Sequence, residues 1–153
     1  MSNVQEAKKN TNVELRLIKV KRTVEDATLL FEILKKRTHT ISHKSLPTFQ
    51  EHKKFVLNHP YRVWFIVKNK YDDIGTVYIL KNNSIGINLF KEKTTATPWI
   101  IKKILSKYKP LKEIKSVRAA EFDFNVSPGD ADYISILKKM GARLAQSTYV
   151  FEN

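Results

Sequence analysis

One mixed α/β or α+β domain around a single sheet is the fold class that the sequence predicts, and three observations carry it. Strand-like and helix-like segments alternate along the chain in the order β-α-α-β-β-β-α-β-α-β. Three of the strand-like runs are consecutive and joined by connectors of hairpin length, which predicts an antiparallel meander. No internal repeat or long linker divides the 153 residues, a length usual for one domain.

The elements follow in order. "VELRLIKV", Val13 to Val20, alternates apolar and polar residues as a half-buried strand does. "TVEDATLLFEILKKR" places Thr23 as N-cap, Glu25 and Asp26 in the first turn and cations at the end, the charge order a helix dipole favours. "THTISHKSL" is β-branched and polar, and reads as a loop. After Pro47, "TFQEHKKFVLNH" sets Phe49, His52, Phe55 and Val56 at helical spacing, with Pro60 as the stop. His52, on that apolar face, reads as a buried or boundary residue.

"YRVWFIV", "DIGTVYIL" and "SIGINLF" are the three meander strands. "PWIIKKILSKY" then reads as a helix with Pro98 at its first position and Ile100, Ile101, Ile104 and Leu105 as its stripe. "EIKSVRAAEFDFNV" is expected as a strand, "PGDADYISILKKMG" as a helix closed by Gly141, and "AQSTYVFE" as a last strand. The polar start, residues 1–12, reads as a flexible lead-in, leaving 13–153 as the domain.

Composition narrows the function classes. Without cysteine there is no disulfide framework, thiolate nucleophile or Cys-based zinc site. No apolar run approaches the ~20 residues of a membrane span, so the expectation is a soluble, cytoplasmic protein. The 28 Lys and Arg against 15 Asp and Glu give a net charge of +13, suited to polyanions such as phosphorylated cofactors. Nucleic acid is disfavoured as a partner: the cations are dispersed, mostly Lys, and only six are Arg. His39 and His43 form an H-x-x-x-H pair, but in a non-helical segment without an accompanying carboxylate they predict no metal site.

The element order over residues 13 to 152 resembles the GNAT family of N-acetyltransferases, whose mixed, mainly antiparallel central sheet is flanked by helices. "IGTVYILKNNSIGINLFKEK" looks like the family's third and fourth strands. "NVSPGDADYISILKKMGA" is similar to its N-x-N-P-x-N-x-x-S-x-x-L-Y/F-x-K-x-G-F segment. "ISHKSLPTFQEHKKFVLNHPYRVWFIV" resembles a subgroup associated with acetylation of amino sugars.

The resemblance implies transfer of an acyl group from acetyl-CoA to a primary amine, that of an amino sugar, with a nucleotide-linked amino sugar among the candidates. The fourth strand, here Ile87, Asn88, Leu89 and Phe90, would splay from the fifth and pair with the pantetheine amides. The family's Q/R-x-x-G-x-G/A pyrophosphate loop aligns with Thr94, Thr95, Ala96, Thr97 and Trp99, without its glycines; Lys91 and Lys93 add charge. Asn125 matches a family asparagine near the CoA arm. The competing reading makes "TTATPW" only a helix start, with Thr97 as cap and Trp99 on the surface.

For catalysis, the family's acid tyrosine aligns with Leu137, so Tyr133, one turn earlier, is the candidate acid; core packing is its alternative. His43 is the candidate base, because the matching loop lies on the acceptor side and histidine has a suitable pKa; a loop-structuring role is its alternative. Ser42 beside it, and Glu121 and Asp123 on one face of "AEFDFN", are the candidate acceptor contacts. A catalytically impaired interaction protein on the same scaffold and a basic nucleic-acid-binding domain are the alternatives to the enzyme. Either a monomer or a homodimer fits the sequence.

Overall fold

The computed structural model describes residues 14–37 and 45–153. Its elements are β1 (Arg16–Lys19), α1 (Val24–Lys35), α2 (Phe49–Asn58), β2 (Val63–Lys68), β3 (Asp73–Ile79), β4 (Ser84–Leu89), α3 (Lys93–Lys107), β5 (Asp123–Phe124) and α4 (Ala131–Lys139). The five strands form one sheet in the order β1-β2-β3-β4-β5, antiparallel except for the parallel β4–β5 pair. The expected mixed α/β architecture and mainly antiparallel sheet are therefore present. No helix among the described residues is long and apolar enough to cross a membrane.

Both faces of the sheet are covered, which explains the unbroken apolar run of β2. Trp64 and Ile66 point into a layer with Ala27, Leu30 and Ile33 of α1 and Val56 of α2. Val63, Phe65 and Val67 point the other way, onto Ala96, Ile100 and Ile104 of α3. Helix starts follow local chemistry: Thr23 accepts from the Asp26 N–H, and Thr48 and Glu51 form a reciprocal capping box. In β3, Gly75 has a positive φ of 154°, and a Cβ there would lie 2.0 Å from the Asn88 carbonyl oxygen. Only glycine lets the strands approach so closely.

Three expectations are corrected. Helix α3 begins at Lys93, so "TTATPW" is helix rather than loop, and Pro98 is its sixth residue rather than its first. Only Asp123 and Phe124 of the expected fifth strand pair; Ile114 to Arg118 close a local turn through a bridge of their own. Residues 145–152 form no strand and are exposed throughout.

His52 and His59 are both buried. Burial holds the His52 pKa below the ordinary 6.5, and burial and then Arg22 do the same to His59. The His59 Nδ1 accepts the Tyr61 N–H at 3.2 Å, which suits a neutral ring. With folded pKa values depressed, the unfolded chain binds more protons below pH 6.5, so stability rises with pH in that window. The melting temperature should therefore fall as pH drops from about 7 to 5, above the carboxylate range, and His52→Leu should make the fall shallower. A flat wild-type profile by circular dichroism would contradict this assignment.

Candidate functional site

The site originates in the way β4 loses its neighbour. Leu80 N–H bonds the Ser84 carbonyl and Phe90 N–H bonds the Ile74 carbonyl. Antiparallel alternation then directs the backbone groups of Ser84, Gly86, Asn88 and Phe90 toward β3, and those of Ile85, Ile87 and Leu89 toward β5. The β5 pairing covers only Ser84↔Asp123 and Ile85↔Phe124. Beyond it the strands diverge, and the N–H and C=O groups of Ile87 and Leu89 face a cleft with no strand of the described residues on its far side.

The cleft has a cavity of about 30 Å³, room for a water or two, lined by Arg37, Ile87 to Phe90, Lys93, Thr97, Asp130 and Tyr133. Tyr133 reaches it from α4. Its ring is buried edge-on to Phe124, and its hydroxyl is buried without a hydrogen-bond partner among the described residues. Burial, then the charge of Asp130, raises its pKa, so the phenol holds its proton throughout the neutral range. Asp130 caps α4 by accepting the Tyr133 N–H at 3.2 Å, and also takes Lys93 Nζ at 3.1 and 3.2 Å. This ion pair joins the N-terminal ends of α3 and α4 across the mouth of the cleft.

The connection from β4 to α3 is just Phe90, Lys91 and Glu92. Glu92 adopts the left-handed conformation, φ 55° and ψ 28°, where the chain turns into the helix. Its carboxylate takes the Asn69 amide at 2.8 Å through Oε1, while Oε2 is buried without a partner among the described residues. The Thr95 and Ala96 N–H groups both bond the Glu92 carbonyl, so Lys93 and Thr94 carry the N–H groups ahead of the helical ladder. Thr94 and Thr95 are exposed, Ala96 and Thr97 are 0% exposed, and Trp99 packs on the core beneath α3. Thr97 is thus no cap; its buried Oγ1 has no partner among the described residues. Pro98 cannot donate to the Thr94 carbonyl, which breaks the ladder in the second turn.

The other candidates divide. Asp123 accepts the Ser84 hydroxyl at 2.6 Å and Asn125 donates to the same oxygen at 3.4 Å, both at the paired end of β4 rather than on the cavity wall. Glu121 is exposed. Lys91 pairs with Asp72 on the surface. Ser42 and His43 lie outside the described residues. Sequence reasoning missed Arg37, which enters from the end of α1 and donates to Asn88 Oδ1 at 3.2 Å, its Nε buried without a partner among the described residues. No sequence signal joins residues 51 apart. The Lys93–Asp130 pair was missed for the same reason.

The chain is similar to the aminoglycoside N-acetyltransferase AAC(6')-Iy in complex with CoA, at 10% identity over 92% of this chain and 95% of that one, with a TM-score of 0.59. An aminoglycoside acetyltransferase from an uncultured soil metagenomic sample, in complex with sisomicin, matches at 9% identity over 91% and 95%, TM-score 0.54. A GNAT family acetyltransferase from Streptococcus pneumoniae matches at 8% identity over 91% and 98%, TM-score 0.51. No protein-family model matches the sequence, and no curated protein does. At these identities the likeness is one of fold: the chain folds as the GNAT acetyltransferases do.

The unpartnered Thr97 hydroxyl allows a test of the cavity. Thr97→Val keeps the shape and removes a buried polar atom, so stability should stay within ~1 kcal/mol of wild type or rise. A larger loss in urea unfolding would mean that an ordered water in the cleft satisfies the hydroxyl.

Proposed function

We propose that the protein is an acyl-CoA-dependent N-acyltransferase, with acetyl-CoA as donor and a primary amine as acceptor. The observation that carries this reading is the free edge of β4: Ile87 and Leu89 present N–H and C=O groups beside the buried phenol of Tyr133. Such an edge suits the amides of a pantetheine arm, which would complete the ladder that β5 abandons. Acyl-CoA, when bound, supplies an activated thioester. Around it a backbone N–H of β4 polarises the carbonyl, and Tyr133 gives its proton to the departing thiolate. His43 is the base proposed for the amine, with Ser42 beside it.

The acceptor follows from charge. Two of the similar proteins are by name aminoglycoside acetyltransferases, which supports an amino sugar. Arg37 lies in this cleft and Lys36 sits 5.0 Å above the Phe90 ring, in a chain of net charge +13. A polycationic acceptor would be repelled; an amino sugar with an anionic group, such as a nucleotide-linked one, would be attracted. The phosphate end of the donor would meet the N–H groups of Lys93 and Thr94 and the ammonium of Lys93.

A second reading, a catalytically impaired interaction protein, is favoured by one observation. The 30 Å³ cavity and the Lys93–Asp130 pair leave a mouth that must open before a pantetheine arm can enter. Titration calorimetry with acetyl-CoA, followed by amine-dependent thiol release, separates the two. Absence of binding at millimolar ligand overturns the proposal, and binding without turnover supports the impaired protein.

Two variants sharpen the test. Tyr133→Phe keeps the packing and should lower kcat by ~10²-fold, with CoA affinity changed less than about twofold. Asp130→Asn preserves the cap of α4 but releases Lys93, so CoA should bind severalfold more tightly, with a steeper salt dependence. Unchanged affinity in Asp130→Asn would remove the ion pair as the closure of the mouth.

A further inference from the structure

Between Lys102 and Arg118 the chain carries seven cations and a single acid, Glu113. The fold gathers further positive charge at the same end of the sheet, because Asn83 holds Leu111 and Ala119 against the turn between β3 and β4. The Arg62 guanidinium donates to the Lys109 carbonyl at 2.8 Å, and Arg118 donates to the carbonyls of Lys112 and Lys81 at 2.7 and 3.1 Å. Two arginines are thus engaged in drawing three lysines together. The four ion pairs of the described residues all lie elsewhere, so none of these cations has an acidic partner among them. Like charges held in one place repel and oppose folding, and a surface that keeps them is complementary to an anionic one.

Aliphatic side chains stand among these charges. Ile114 and Arg118 bridge across a tight turn in which Ser116 has φ 63°, and the turn carries Val117, 69% exposed. Ile114 itself and Leu105, near the end of α3, are also exposed. The neighbouring aromatic residues, Trp99 and Tyr108, are half-buried against the core layer, with Lys103 over the first ring and Arg62 and Lys107 over the second. No open ring is left on this face for a nucleic-acid base to stack on.

Exposed lysines interleaved with aliphatic tips suit the boundary of an anionic bilayer, where ammonium groups meet lipid phosphates and small apolar side chains enter the edge of the acyl region. We infer that this face docks the protein onto an anionic membrane surface, with Lys112 and Lys115 on the headgroups and Val117 inserted beside them. Helix α3 runs from this face at Lys107 to the cleft at Lys93, a span of about 20 Å for its 15 residues. The cleft therefore stays open to water while the opposite end is docked. The inference does not depend on the acyltransferase reading.

Flotation of the full chain with vesicles of phosphatidylcholine, either alone or mixed with phosphatidylglycerol, tests this. Wild type should float with the mixed vesicles only, and should be released as salt rises from about 50 to 500 mM. Lys112→Gln with Lys115→Gln should weaken binding about 25-fold, at about fivefold for each lysine. Val117→Ser should weaken it severalfold and leave the salt dependence unchanged. Lys54→Gln with Lys70→Gln makes the same change of net charge on exposed lysines elsewhere, and should bind nearly as wild type does. All the altered side chains are exposed, so circular dichroism and melting temperature should not change. Absence of flotation at low salt, equal flotation on the two kinds of vesicle, or a Lys54 and Lys70 variant as weak as the Lys112 and Lys115 one would overturn the inference. So would a single-stranded RNA of about 20 nucleotides that binds more tightly than the vesicles, depends on Lys112 and Lys115 and ignores Val117→Ser, since nucleic acid would then be the occupant.

Discussion

The buried amide of Asn83 is the constraint on which the shape of the cleft depends. It is 0% exposed and sits in the tight turn between β3 and β4 with φ 72°, a conformation asparagine tolerates better than most residues. Its Nδ2 donates to the carbonyls of Leu111 and Ala119, and its Oδ1 accepts the Leu111 N–H, all within 2.9 Å. One side chain thereby fixes the start and the end of the excursion that leads from α3 to β5. Ser84, the next residue, holds Asp123. The two strands are therefore tied at one end only, and their natural twist opens the other.

The chemically distinctive groups among the described residues lie at that open end. The free β4 edge, the phenol of Tyr133, the guanidinium of Arg37 and the first turns of α3 and α4 meet within one cleft. A glycine-rich phosphate loop achieves close approach by leaving backbone bare. This chain does otherwise: it spans β4 to α3 in three residues, takes the one left-handed step at Glu92, and steadies that residue with Asn69. Charge is then managed by side chains, with Lys93 held in reserve by Asp130.

The sequence was most legible where a periodic pattern met a covered surface. The apolar run of β2, the helical spacing of Phe49, His52, Phe55 and Val56 and the cap at Thr23 led directly to the observed elements. It was least legible where long-range pairing decides. The stripe of α3 in fact runs back from Ile100 to Ala96 at helical spacing, so the earlier helix start was readable, but the proline at 98 outweighed it. Residues 113–122 have strand-like composition, yet Asn83 takes the Ala119 carbonyl, and β5 keeps only two residues. Of the candidate site residues, Tyr133 and Ile87 to Phe90 do share the cleft, while Asp123 and Asn125 serve the tied end. Arg37 and Asp130 have partners 51 and 37 residues away, a distance that no local pattern encodes.

The two-layer packing also gives the protein a built-in pair of optical reporters. Trp64 lies in the layer under α1 and α2, 7% exposed and edge-on to Tyr61 and His59. Trp99 lies in the opposite layer on α3, with the Lys103 ammonium 6.0 Å from its ring. An indole buried among apolar groups emits at shorter wavelength than one beside a cation and water. The emission spectrum is thus a composite of two addresses, one on each side of the sheet, and replacing either indole by phenylalanine would leave the loosening of a single layer to be followed in isolation.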